Sequence, residues 1–336
     1  MMVVVIDAGH GGKDPGALGK TSKEKDIALS IALKTGSYIE KNLKNVRVIY
    51  TRKSDRFIPL HERARIANDN HADFFISIHC NANNSSKVYG TETYVMGLHK
   101  SQENLEVAKL ENASILKEDD YLQHYEGFNP NSAEAYIIFS LYQNAYLDES
   151  LNLAAKVQRQ FKERVGLRDR GVYQAGFWVL YKTTMPGILV ETGYLSNTKD
   201  EKFLKTKSGQ TYLASAIYRA FKEYKEELDR NQQAAASVPI VQSETISNKN
   251  IFFRVQIASS PKKVNTSRRF KGLSDMFNYK HLGEFKYCTG KFSSFNEANA
   301  LKNTLRRGKY KDAFVVAFQD GKRISLEKAK SLVKKP

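Results

Sequence analysis

The strongest constraint on this chain is an alternation. Short strand-like segments are separated by stretches of helical spacing. Residues 3–7, 46–51, 74–79 and 90–96 read as strands. The first, a β-branched run, suits a strand buried on both faces. Between the first two runs, Ile27, Ile31, Thr35 and Ile39 recur at helical intervals, with Ser22 as expected N-cap and Glu24 in the first turn. Pro59 opens a second helix through about residue 68, with Leu60, Ala64 and Ala67 on one face. Strand and helix in turn predict an α/β fold, a mostly parallel sheet flanked by helices. Further on, 151–165 reads as a helix, 177–181 and 188–191 as closing strands, and 212–228 as a final helix.

Residues 97–147 break the rhythm. They are polar, acidic at Glu118-Asp119-Asp120, and carry an expected helix over 133–146. Insertions of this length are usually functional or mobile. Residues 229–250 hold Gln-Gln-Ala-Ala-Ala, Val-Pro and a Ser/Thr/Asn mixture without period, and read as a linker. Beyond them, 252–258, 284–290 and 313–318 read as strands and 294–307 as a helix. The expected domains are therefore 1–228 and 251–336, joined by 229–250.

The formal net charge is +17, but residues 251–336 hold 20 Lys and Arg against 6 Asp and Glu, so +14 of it sits there. A concentrated positive field attracts polyanions such as nucleic acid, anionic lipid or acidic polysaccharide. No run approaches the roughly 18–20 apolar residues of a membrane span, which excludes a transmembrane helix. With Cys80 and Cys288 as its two cysteines, the chain is neither a disulfide scaffold nor a four-cysteine zinc module. No cationic segment precedes the first apolar run. The protein is therefore expected either to be cytoplasmic or to have a leader absent from this chain.

Open α/β sheets build their sites at strand ends. Two strand ends here finish in histidine: Asp7-Ala8-Gly9-His10-Gly11-Gly12 and Ser77-Ile78-His79-Cys80-Asn81-Ala82. Glu24 belongs to the first turn of the helix that follows His10. Two imidazoles and a carboxylate are the ligand set of a catalytic zinc with an open fourth position. Val190-Glu191-Thr192-Gly193 brings a second carboxylate to the same edge, suited to a general base. Each residue has a plainer reading: a hydrogen-bonded strand-end histidine, a helix-dipole glutamate, a solvated turn glutamate. Cys80 should point to the opposite face from His79 and be a buried, inert thiol.

At these residues the chain resembles the zinc-dependent N-acetylmuramoyl-L-alanine amidases of the amidase-3 type. The resemblance lies in residues 5–16 around His10, in Glu24-Lys25-Asp26, and in Thr51-Arg52 with Asp55. It continues through Leu60, Arg63 and Ala67-Asn68, residues 77–82 around His79, and residues 190–197 around Glu191. It covers roughly 3–228, in the family's order. It implies His10, Glu24 and His79 as ligands of Zn2+ and Glu191 as the catalytic carboxylate. The implied reaction is hydrolysis of the amide between N-acetylmuramic acid and the L-alanine of the stem peptide in peptidoglycan. That implies a role in cell-wall remodelling and daughter-cell separation, and a periplasmic or secreted location. Some members carry a regulatory helix between the third ligand and the catalytic glutamate, withdrawn by a protein activator. Residues 97–147 are then either an occluding segment, acting through 133–146 or the acidic stretch before it, or a substrate-shaping loop. Glu103, Glu111, Glu118, Glu126 and Glu134 are all available to plug the site.

Residues 252–258, with Tyr287 to Gly290, Phe292, Phe295 to Ala298 and Leu301 to Leu305, resemble a SPOR domain. Residues 262–280 depart from that pattern, being basic and without an Ala/Leu helix. The resemblance implies a small α+β RNP-like domain that binds glycan strands stripped of stem peptides. The rival is nucleic-acid binding, since aromatic platforms stack bases as well as sugars. Phe252, Phe285, Tyr287 and Phe292 are platform candidates, with core packing expected for some of them. Peptidoglycan rather than nucleic acid is the expected partner. Two other readings compete with the amidase: a catalytically silent wall-binding protein, and a zinc peptidase acting within the stem peptide.

Overall fold

The computed structural model describes residues 1–125, 127–141, 146–237, 251–281, 284–310, 313–324 and 326–333. The chain divides into two units, Met1–Ser237 and Val238–Pro336.

In the first unit β1 (Met2–Ala8) pairs in parallel with β2 (Val46–Tyr50) and β3 (Phe74–Asn81). With β4 (Thr91–Met96), β5 (Asp169–Ala175) and β6 (Gly187–Tyr194) the sheet runs β2-β1-β3-β6-β4-β5. The pairing of β4 with β6 is antiparallel; the others are parallel. Every residue of β3, β4 and β6 is buried, including the polar His79, Glu92 and Glu191.

The helices are α1 (Glu24–Asn42), α2 (Leu60–Asp69), α3 (Gln102–Asn112), α4 (Tyr121–His124), α5 (Leu147–Gln160), α6 (Trp178–Tyr181), α7 (Thr198–Leu204) and α8 (Lys207–Ser237). Successive strand residues face opposite ways, so β1 feeds two cores. Val4 and Ile6 meet Ile27 and Ile31 of α1, Leu153 and Val157 of α5, and Ile217 and Phe221 of α8. Val5 belongs to the other core, with Leu60 of α2, Phe75, Trp178 of α6 and an aromatic group from the insertion: Tyr125, Phe128, Tyr136 and Phe139. The insertion thus packs onto the second face of the sheet.

Several local expectations are corrected. Lys23, not Ser22, is the N-cap of α1; the Ser22 hydroxyl donates instead to Glu201 Oε1 at 2.8 Å. Residues 177–181, expected as a strand, form α6, and the strand at that edge is β5, whose half-polar sequence hid it. The helix expected over 133–146 is a 3-10 turn over Glu134–Leu141; residues 142–145 lie outside the described residues. The helix expected to stop at residue 228 runs on to Ser237, into the expected linker. Lys225 and Asp229, one turn apart, pair at 2.5 Å, and Gln232 to Ala236 are strong helix formers, so nothing local ends the helix there.

The second unit holds β7 (Ile251–Ser260), α9 (Thr266–Arg269), β8 (Phe277–His281), β9 (Glu284–Phe292), α10 (Phe295–Arg307), β10 (Phe314–Gln319), β11 (Lys322–Ile324) and α11 (Leu326–Val333). Its sheet is antiparallel, in the order β11-β10-β7-β9-β8. Ile251, Phe253, Val315 and Ala317 pack against Ala298 of α10 and Ala329 of α11. Sequence reading did not find β8, β11 or α11. The short α9 is the whole of the helix in the basic stretch where no Ala/Leu period could be seen.

Candidate metal centre

The loop after β1 turns sharply, and His10 takes φ 56°. Such a turn takes carbonyls out of the ladder, and two buried arginines receive them. Arg52 donates to the carbonyls of Ala8 at 2.9 Å and Gly9 at 2.6 Å. Arg63 donates to those of Ala8 at 2.6 Å and His10 at 2.7 Å, and pairs with Asp7 at 2.8 Å. Asp7 also accepts from Thr51 and Ser77, both at 2.6 Å. Burial opposes ionisation of Asp7, but Arg63 and these hydroxyls hold its carboxyl below the usual carboxylate range.

Glu24 opens α1 and faces back toward the sheet edge. Its Oε2 accepts from the Ala17 amide at 2.7 Å and its Oε1 from the Cys80 amide at 2.9 Å. Two glycines permit the approach. A Cβ at Gly9 would stand 2.4 Å from His79 Cε1, and one at Gly16 would stand 2.5 Å from Glu24 Oε2.

The structure brings His10, Glu24 and His79 together, and adds Glu111 from the last turn of α3. One donor atom from each lies within 4.8 Å of the others, and all four residues are buried. His10 Nε2 is 3.0 Å from Glu24 Oε2 and 3.1 Å from Glu111 Oε2. His79 Nδ1 is 2.9 Å from Glu24 Oε1 and 2.8 Å from Glu111 Oε2. The far ring nitrogens are also held. His10 Nδ1 meets Asp14 Oδ2 at 2.7 Å, and His79 Nε2 meets Ser77 Oγ at 3.1 Å. Such outer partners fix the tautomer that leaves the inner nitrogen as a ligand.

The electrostatics agree. Burial disfavours imidazolium, yet Glu24 and Glu111 raise His10 well above its ordinary value. Against the same burial, Glu111 and then Glu24 push His79 up to about 10. A pocket that holds protons so firmly has a negative field that also favours a divalent cation. Among the described residues this is the cluster that could hold one.

Glu191 lies on β6, in register with His79 on one side and Glu92 on the other. Both its carboxylate oxygens are buried without a hydrogen-bond partner. Burial, then the Glu111 charge, push its carboxyl well above the usual range. Cys80 is fully buried, its Sγ 3.2 Å from Thr192 Oγ1, and burial raises its thiol far above normal.

The insertion fastens Glu111 in place. Asn112 accepts from the Trp178 amide at 2.8 Å and donates to the Gly176 carbonyl at 2.8 Å and the Tyr136 hydroxyl at 3.2 Å. Just beyond, Ser114 Oγ and Lys117 Nζ each donate to Asp14, both at 2.6 Å. The other candidates lie elsewhere. Glu103 pairs with Arg170 at 2.8 Å, Glu118 accepts from the Leu60 amide at 3.0 Å, and Glu134 accepts from Ser132 at 2.6 Å. Glu126 lies outside the described residues. The Ser101 cap with Glu103 after it marks the start of α3 in the sequence, but nothing local singles out Glu111. Asp14 belongs to the first motif, yet its contact with His10 needed the fold.

In the second unit, Phe252, Phe277 and Tyr279 stand half-buried around buried Phe318, on the face opposite α10 and α11. No described helix contributes to this cluster. Arg254 lies over Phe252 and Phe277 at 5.4 and 4.9 Å, Lys291 over Phe252 at 4.8 Å, and Arg323 over Tyr279 at 5.9 Å. An open cleft of about 710 Å³ at one end is lined by Phe252, Lys291, Ser293 and Asp320 among others. Of the expected platform residues, Phe252 lies on this face, whereas Tyr287 is buried and Phe292 packs on the helix side.

The amidase-3 profile, described as N-acetylmuramoyl-L-alanine amidase, matches residues 4–223. The chain is 34% identical over 229 residues to N-acetylmuramoyl-L-alanine amidase AmiC of Escherichia coli O6:H1, covering 66% of this chain and 52% of that protein. It therefore spans about half the length of that relative. It is 31% identical over 242 residues to AmiA of Escherichia coli K12, covering 69% of this chain and 78% of AmiA. Among solved structures, the catalytic domain of CwlV, an N-acetylmuramoyl-L-alanine amidase from Bacillus (Paenibacillus) polymyxa var. colistinus, matches at 33% identity and TM-score 0.50. That match covers 67% of this chain and 99% of CwlV's domain. With its sheet-edge His/Glu cluster and these likenesses, the chain belongs to the amidase-3 family of N-acetylmuramoyl-L-alanine amidases.

Proposed function

We propose that the chain is a zinc-dependent, self-blocked amidase that cleaves between N-acetylmuramic acid and the L-alanine of the stem peptide. The observation that carries this is the convergence of His10, Glu24, His79 and Glu111. The donor set fits the metal. His10 Nε2 and both Glu111 oxygens are buried without a hydrogen-bond partner, although they approach to 3.1 Å. Groups that close and that poorly aligned suit a shared point between them, and two nitrogens with carboxylate oxygens suit zinc.

Zinc held there by His10, Glu24 and His79 would polarise the scissile carbonyl and acidify a bound water. Glu191, whose burial raises its proton affinity, takes the proton of the attacking water and passes it to the leaving amine. Asp14 and Ser77 hold the two rings in their ligating orientation. Glu111, beside the same histidines, would take the place a bound water needs, so α3 closes the site and an activating protein partner opens it.

The second unit binds denuded glycan strands on its open aromatic face. Supporting this are the strand order β10-β7-β9-β8, which places the third and fourth strands beside the first as in an RNP-like sheet, and the cations over Phe252 and Tyr279. Peptidoglycan lies outside the cytoplasmic membrane, so the protein works in the periplasm or as a secreted enzyme in wall remodelling and cell separation. No helix of the described residues is long and apolar enough to cross a membrane.

Metal analysis of the purified chain and of His79→Ala, with product analysis of digested sacculi, tests the enzyme. One zinc per chain, lost in His79→Ala, is expected, with intact stem peptides and lactyl-bearing glycan as products. Cuts within the stem peptide would overturn the amidase reading. A pull-down at physiological salt on denuded glycan and on single-stranded RNA tests the second unit; preference for RNA would overturn the glycan reading.

A further inference from the structure

One row of side chains crosses the sheet away from the metal cluster. His79 on β3 is in register with Glu191 on β6, and Glu191 with Glu92 on β4. On β5 the register slips between Asp169 and Gly171, which leaves Arg170 at the end of the row. Neighbouring strands lie about 4.8 Å apart, so β5 is about 14 Å from β3.

Glu92 is buried and crowded with donors. It accepts from Tyr94 at 2.8 Å, Tyr194 at 2.9 Å and Asn81 at 3.3 Å, and from Arg170 Nε at 2.5 Å. The Tyr194 ring lies 5.5 Å from the guanidinium. Arg170 is thus held from behind by a fixed carboxylate. Its forward edge, Nη2, donates to Glu103 Oε1 at 2.8 Å, and Glu103 is half exposed. Glu103 and Glu111 both belong to α3. Eight residues of helix span about 12 Å, close to the span from Arg170 to His79. The helix therefore lays one carboxylate on the metal cluster and another on Arg170.

We propose that Arg170 is a carboxylate-binding subsite for the stem peptide, and that Glu103 fills it as Glu111 fills the metal position. This rests on the reading that α3 closes the site. An extended peptide covers about 12 Å in three to four residues, so the carboxylate recognised lies that far beyond the scissile amide. A guanidinium with one edge already fixed presents the other as a preformed fork for a carboxylate.

The test uses the full, zinc-loaded chain carrying Glu111→Gln. Calorimetry measures binding of a stem tetrapeptide with free carboxylates and of the same peptide with every carboxylate amidated. The free peptide is expected to bind about tenfold tighter, as one charge-assisted contact gives. Arg170→Gln erases that preference and Arg170→Lys keeps part of it. Glu103→Gln, which leaves the buried pair with Glu92 intact, tightens the free peptide about threefold and leaves the amidated one unchanged. Equal affinity for the two peptides, no measurable binding of either, or a preference that survives Arg170→Gln overturns the proposal. Should Arg170→Gln fail to fold, an unchanged affinity in Glu103→Gln overturns it alone. If Glu111→Gln digests sacculi faster than the native chain but shows no preference, the subsite fails and the closed-site reading stands. If it digests no faster, the closed-site reading itself fails.

Discussion

Replacing Glu111 by glutamine removes a charge and keeps the shape. In the closed arrangement the Glu111 carboxylate lies 3.1 Å from His10 Nε2 and 2.8 Å from His79 Nδ1. With both imidazole nitrogens taken up by zinc, the carboxylate would face the cation rather than the rings. A charge-assisted contact is worth about 1.5–3 kcal/mol and one to a dication exceeds that, but the carboxylate is buried, and its desolvation offsets a large part. A net closing contribution of about 2–3 kcal/mol remains, which corresponds to about 30- to 150-fold in the closed-to-open ratio. Dye release from labelled sacculi, by zinc-loaded protein without any partner, should therefore rise by one to two orders of magnitude in Glu111→Gln. Zinc content and melting temperature are measured alongside. An unchanged rate at matched zinc and matched melting temperature would refute the reasoning, because the carboxylate would then hold nothing closed.

Other expectations follow from neighbouring contacts. Asn112→Ala removes three buried hydrogen bonds that anchor the end of α3, so basal dye release should rise severalfold with metal content unchanged. Zinc removal by chelation, or His79→Ala, should abolish hydrolysis while circular dichroism keeps the sheet signal. The Asp7 carboxyl is depressed in the fold, so its stabilisation is complete above its unfolded value near 3.9 and fades as pH falls toward the folded value. Asp7→Asn should cost about 3–5 kcal/mol at neutral pH by stranding buried Arg63. In thermal scans across pH, that penalty should shrink below about pH 4. Phe252→Ala or Tyr279→Ala should weaken glycan pull-down while leaving hydrolysis of a soluble muropeptide untouched.

The sequence by itself determined the mostly parallel sheet and three of the residues in the candidate metal cluster. A buried strand must be written as a continuous apolar run, and the side chain at its end is a local fact; His10 and His79 were legible for that reason. Glu24 was legible because it opens a helix one loop later. Edge elements were harder. Strand β5 is only half-buried and carries no apolar period, and residues 177–181 are apolar because they fill an aromatic core, not because they extend. Tertiary structure alone decided Glu111 and Arg170. The insertion offers several glutamates of equal local standing, and which one reaches the histidines depends on where the packing of Tyr125, Phe128, Tyr136 and Phe139 sets α3 down. Arg170 looks like any surface arginine until the register places it at the end of a row that starts at His79. A sequence spells out what lies next along the chain; what lies across it is fixed only when distant apolar surfaces bury one another.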